Sequence, residues 1–168
     1  HYDLYHVHPI DIHSLLAVEE LEKLRRGVYQ KDYPLLTSLI QELEKPEILL
    51  LTALLHDIGK GTEGDHSVIG AEILRQIGSR MGLPKEDRDL MGFLVSHHLF
   101  MLETAFRRDL HDEQTVLNFV NTVKNLTQLR MLYLLTFADV RAVGPEAWTS
   151  WKDSLLTELF LKTSHLFE

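Results

Sequence analysis

Cysteine is absent from all 168 residues. That excludes a disulfide scaffold, a thiolate zinc site and a cysteine nucleophile. It suits a reducing compartment, and a cytoplasmic protein is expected. A long block of lysine or arginine is also missing, in a chain whose formal net charge is −8. Duplex nucleic acid is therefore not an expected partner, because binding it needs several cationic contacts to phosphates. The longest apolar run, Ile48 to Leu55, is far shorter than the ~20 residues that span a bilayer. No membrane partner is expected. The first residues, "HYDLYHVHPID", lack the charged start and apolar centre of a signal peptide. They also lack an initiator Met, so a piece excised from a longer protein is expected. Alternating strands with hairpin turns, repeats, low-complexity segments and linkers are absent as well.

What the chain does have is helical spacing of apolar residues nearly everywhere. Apolar residues make up 45% of it, enough to bury a core without disulfides. One helix is predicted from Pro9 to Arg26, with Gly27 ending it. "PLLTSLIQELE" follows Tyr33, with Pro34 in its first turn. A third helix runs from Pro46 through the leucines to His56. "GKGTEGD" breaks the chain there, and Asp65 or Ser67 caps a fourth helix ending near Gly82. "PKEDRDLMGFLVSHHLFML" reads as one continuous fifth helix. "DEQTVLNFVNTV", "TQLRMLYLLTFADVRA" and "EAWTSWKDSLLTELFLKTSHLF" complete the set. The expected fold class is all-α, with residues 1–168 forming a single-domain helical bundle.

Several polar residues sit where this pattern wants apolar ones. Asp139 falls four residues after Leu135 and three after Thr136, on the core-facing stripe of its helix. A carboxylate there needs a paired or coordinated cation, and Arg130 or Arg141 would suffice. His13 stands beside Ile12 and one turn before Leu16 and Ala17. A lone histidine at such an edge is more often a hydrogen-bonded core residue than a ligand. His97 and His98 lie between Val95 and Leu99, and one of them has the same ordinary explanation. The balance changes when these groups are taken together with His56-Asp57. Consecutive helical positions point about 100° apart, so both side chains reach one ion only near a helix end, which "HDIGKG" supplies. Imidazole and carboxylate without sulfur suit divalent Mn, Fe, Co, Ni or Zn, and with added waters Mg. Without a cation, several buried polar groups would go unmatched.

The order His13, His56-Asp57, Asp139 resembles the H…HD…D signature of the HD-domain metal-dependent phosphohydrolases. The resemblance implies an all-α domain whose four signature residues hold one metal. In some members two further histidines bind a second metal, with the Asp of the pair bridging both. His66 and His98 (or His97) occupy that interval here, and the resemblance favours His98 over His97. One or two divalent ions are thus expected.

A closer likeness runs through "YDLYHVHPIDIHSL", "LLHDIGKGTEGDHSVIGAEI", "SHHLFMLETAFRRDL" and "YLLTFADVRAVGPEAWTSWKDSLLTEL". Together these are similar to the HD domain of the bifunctional uridylyltransferase/uridylyl-removing enzymes. That family implies hydrolysis of the uridylyl–tyrosine phosphodiester on the PII signal protein, releasing UMP, in nitrogen regulation. It also implies flanking nucleotidyltransferase and ACT domains. "VHPIDIH" departs from the threonine-valine-acidic run more usual before this His.

On this reading Asp57 bridges and is catalytic, and Lys60 neutralises a phosphate oxygen. Arg107 and Arg108 of "FRRD" offer guanidinium groups to phosphate, with a surface ion pair to Asp109 as the plain alternative. Asp65 orients His66. Two other functions remain open: an HD hydrolase of a free nucleotide or dinucleotide, and a catalytically silent metal-binding regulatory module.

Overall fold

The computed structural model describes residues 11–60 and 64–168. α1 spans Ile12–Arg25, and Asp11 caps it by accepting a hydrogen bond from the Ser14 N–H at 2.9 Å. The earlier start predicted at Pro9 lies outside the described residues. Gly27 ends α1 at φ +83°. Its N–H donates to Leu24 O and that of Val28 to Lys23 O, both at 3.0 Å. This closure needs a left-handed residue, which glycine supplies without a Cβ clash. α2 (Pro34–Gln41) and α3 (Pro46–Leu55) both begin on proline, whose missing N–H has no partner at that position anyway. α4 spans His66–Arg80, with Asp65 accepting from the N–H groups of Ser67 and Val68.

The predicted fifth helix is two. α5 covers Lys85–Ser96 and α6 covers Phe100–Arg107. The break falls on the histidine pair. The Ser96 hydroxyl, 3.1 Å from Phe93 O, and His97 Nδ1, 3.2 Å from it, both compete for that carbonyl. His98 Nδ1 takes Val95 O at 2.6 Å. Phe93 O still takes its helical bond from the His97 N–H at 3.0 Å, but at Val95 O a side chain occupies the carbonyl that the Leu99 N–H of a continuing helix would use. α7 spans Glu113–Val123 and α8 Leu126–Arg141. The last predicted helix starts later than Glu146. A short 3-10 turn covers Pro145–Ala147, then Thr149 caps α9 (Ser150–Leu166) by accepting from the Lys152 N–H.

α8 is the axis. Every residue from Met131 to Ala138 is buried, the mark of a helix surrounded on all sides. α1, α2, α3, α5, α6 and α9 all pack against it. Tyr133, Phe137, Leu21, Leu24 and Phe119 fill the main core. A smaller apolar cluster (Ile48, Leu55, Ala71, Leu74, Met91 and Val95) ties α3 to the α4–α5 pair. No strand occurs among the described residues, and the architecture is all-α as expected. No described helix is long and apolar enough to cross a membrane.

This packing sets four chain segments around one point. The first turn of α1 lies beside the last turns of α8 and α3, and the α5–α6 break closes the fourth side.

Candidate metal centre

Asp139 Oδ1 is the hub. His13 Nε2 lies 2.6 Å from it and His56 Nε2 3.2 Å. One ligand atom from each of His13, His56 and Asp139 falls within 4.8 Å of the others. The arginines offered as ordinary partners are engaged elsewhere or point away. Arg141 donates to the Tyr29 hydroxyl at 3.0 Å and lies 3.6 Å from Glu20 Oε2. Arg130 lines a separate cleft with Glu42, Glu44 and Asp87.

The tautomer of His56 follows from its neighbour. Nδ1 lies 2.6 Å from Ala53 O, and a carbonyl only accepts, so Nδ1 carries the proton. Nε2 then faces two carboxylates, Asp139 at 3.2 Å and Asp57 Oδ2 at 3.3 Å. A bare lone pair against two anions is unfavourable, so a proton or a metal ion must stand there. Burial opposes the protonated form, but the Asp139 hydrogen bond and the charges of Asp139 and Asp57 override it and push His56 up to about 9. For Asp139, burial raises the carboxyl, yet the hydrogen bonds to His13 and His56 hold it well below the usual carboxylate range. Backbone-oriented imidazoles facing carboxylates are the donor set that divalent transition ions take, and this geometry fits such an ion.

Asp57 sits just past the end of α3, as the helix-end argument requires. It lies between His56, Lys60 Nζ at 3.3 Å and His98 Nε2 at 4.0 Å. His98 repeats the His56 arrangement, with Nδ1 given to Val95 O and Nε2 turned inward. The two rings meet edge to face at 5.4 Å. His97 does not join them: it stacks on Phe93 at 4.7 Å and lines a different cleft. Lys60 is half exposed beside Asp57.

His66 opens α4 with its side chain exposed, and no described contact brings its imidazole to Asp139 or Asp57. Asp65 spends its carboxylate on the α4 cap. Arg107 and Arg108 are exposed at the end of α6. Neither pairs with Asp109 among the described ion pairs, and Arg108 borders a cleft with Asp112 and Asn118.

Two features escaped sequence reasoning. One is the pair of backbone carbonyls, Ala53 O and Val95 O, that fix the imidazoles. The other is a network that joins α1 to the end of α8 through Glu20, Tyr29 and Arg141. The Tyr29 hydroxyl donates to Glu20 at 2.5 Å, and Arg141 lies over the Tyr29 ring at 4.9 Å. Glu20, seven residues after His13 on α1, was the available signal for it.

An all-helical domain with His13, His56 and Asp139 at one point and Asp57 beside His56 defines a class, and comparison agrees with it. Residues 10–135 match the HD domain, and the chain belongs to that family. HD domains bind divalent metals. Similar curated proteins are bifunctional uridylyltransferase/uridylyl-removing enzymes. That of Novosphingobium aromaticivorans is 42% identical over 165 residues, 98% of this chain and 18% of the relative. That of Methylococcus capsulatus is 44% identical over 163 residues, 97% of this chain and 19% of the relative. That of Azospirillum brasilense is 42% identical over 165 residues, again 98% and 18%. The chain thus spans under a fifth of the length of these relatives.

Proposed function

We propose that this chain is a metal-dependent phosphodiesterase that removes uridylyl groups, cleaving the uridylyl–tyrosine bond of the PII signal protein and releasing UMP. Its setting would be the cytoplasm, beside nucleotidyltransferase and ACT domains of a longer protein. The carrying observation is the shared Asp139 oxygen, with His13 and His56 both turned onto it. Likeness to uridylyl-removing enzymes over nearly the whole chain supports the substrate.

His13, His56, Asp57 and Asp139 would hold the first divalent ion. Asp57 and His98 begin a second place, with His66 as the remaining candidate. A bound ion supplies Lewis acidity at phosphorus and lowers the pKa of water from ~15.7 towards ~7. The chain's own groups do the rest. Ala53 O and Val95 O keep His56 and His98 in the tautomer that presents Nε2. Lys60 stands at the rim beside Asp57, where its ammonium neutralises a phosphate oxygen. Arg107 and Arg108 would reach more distant phosphate or protein carboxylates.

A protein substrate also suits the rim. Ile12 is 64% exposed and Leu15 55% beside His13, and Leu99 is 45% exposed beside His98. Apolar exposure around a polar site marks contact with another protein surface. The test is UMP release from uridylylated PII against a panel of free nucleotides and dinucleotides. Release from PII at a rate well above that from any free nucleotide is expected. Preferential hydrolysis of a free nucleotide, or no hydrolysis of any by metal-loaded chain, would overturn the proposal.

A further inference from the structure

The imidazoles of the metal centre are not anchored alike. His56 and His98 each give Nδ1 to a carbonyl of their own helix. Among the described residues none takes Nδ1 of His13, whose one hydrogen bond runs from Nε2 to Asp139. Where His13 points therefore depends on how α1 lies on α8.

A second polar contact joins the same two helices. Arg141 lies 3.6 Å from Glu20 Oε2 and donates to the Tyr29 hydroxyl at 3.0 Å. That hydroxyl donates to Glu20 at 2.5 Å, which closes a triangle. Its two charged side chains are only 12% and 11% exposed. The guanidinium also lies over the Tyr29 ring at 4.9 Å and reaches Pro145 O at 3.4 Å. A planar fork that stacks and donates at once is what arginine offers and lysine does not.

Helical geometry shows what this second contact does. Asp139 and Arg141 leave α8 about 200° apart, on opposite flanks. His13 and Glu20 lie two turns apart along one face of α1. Between them Ala17 is fully buried, where α1 packs on α8. So α8 holds α1 on both flanks, at His13 through Asp139 and at Glu20 through Arg141. One contact would leave α1 free to pivot, and two set its angle.

We propose that Glu20, Tyr29 and Arg141 are positioning residues for the metal centre, which fix α1 on α8 and so keep His13 Nε2 on Asp139. This rests on the reading of His13 and Asp139 as metal ligands, and not on the substrate.

The test is calorimetric Mn²⁺ binding to the chelator-stripped chain. Tyr29→Phe removes one hydroxyl and no packing. It should weaken the binding step that His13→Ala also weakens, by about tenfold, the low end of what partners behind metal ligands produce. Glu20→Ala should do the same, and Glu20→Gln, which still accepts from the Tyr29 hydroxyl, should recover most of the affinity. In a His13→Ala chain, Tyr29→Phe should have no further effect, because the network acts through His13. Tyr133→Phe is the control. It deletes a hydroxyl 3.0 Å from Thr157 Oγ1 that ties α8 to α9, so it should lower Tm and leave Mn²⁺ affinity unchanged. Wild-type affinity in Tyr29→Phe while His13→Ala binds weakly would overturn this proposal alone. So would an equal effect of Tyr29→Phe with and without His13, or an equal loss in Tyr133→Phe. Mn²⁺ bound as tightly by His13→Ala as by wild type would overturn the metal reading along with it.

Discussion

Asp139 keeps its charge where burial resists it, and at a helix C-terminus where the backbone dipole is also unfavourable to an anion. Two imidazoles compensate, one from α1 and one from the end of α3. Asp57 has a different place, between His56, Lys60 and His98. Asp57→Ala should therefore abolish hydrolysis and weaken metal binding together. The loss should exceed the ~10–100-fold that changes around ligands usually produce. Turnover assays with metal analysis check this, and circular dichroism separates it from unfolding. The neighbouring histidines should behave differently from each other. His98→Ala is expected to lower the number of bound ions per metal-saturated chain, and His97→Ala to leave it unchanged. Equal losses in both variants, measured by elemental analysis, would contradict the inward role given to His98.

At the scale of elements, the turn after α3 matters as much as its side chains. A Cβ on Gly59 would lie 2.2 Å from His66 O and 2.8 Å from Gly70 N. Both are backbone atoms, so nothing can swing aside. Gly59→Ala should push the turn bearing Asp57 and Lys60 off the first turn of α4. A destabilisation of ~1–3 kcal/mol, typical of overpacking, should appear as a lower Tm, with activity falling further than stability. Most of the elements were legible in sequence, because proline starts, aspartate caps and Gly27 act locally. Asp139 was legible too, as a carboxylate on an apolar stripe. The α5–α6 break was not. No proline or glycine marks it, and it falls where the His98 side chain takes Val95 O. Missing that break left His97 and His98 equivalent by periodicity. With the break in place, the two side chains part. The exposed position of His66 was equally hidden, since spacing after a glycine-rich turn does not set direction.

For the whole molecule, the site couples charge to stability. In the metal-free chain His56 is raised from 6.5 to about 9. A raised imidazole stabilises the fold fully below its unfolded value, and that contribution is lost as pH climbs through about 9. Asp139, held low, contributes above the ordinary carboxylate range and loses this on acidification. Calorimetry of metal-free protein should show Tm falling between pH 6.5 and about 9 from the His56 contribution. A saturating divalent ion should reverse that trend, because it displaces the His56 proton and binds more tightly as pH rises. A parallel decline with and without metal would place the ion elsewhere. The most direct test of the central claim uses one preparation of the chain, stripped by chelator and then restored with Mn²⁺. Uridylylated PII should release no UMP with the stripped protein, and release should return in proportion to the metal taken up. Release at an undiminished rate by the stripped chain, or none after restoration to full metal occupancy, would contradict it.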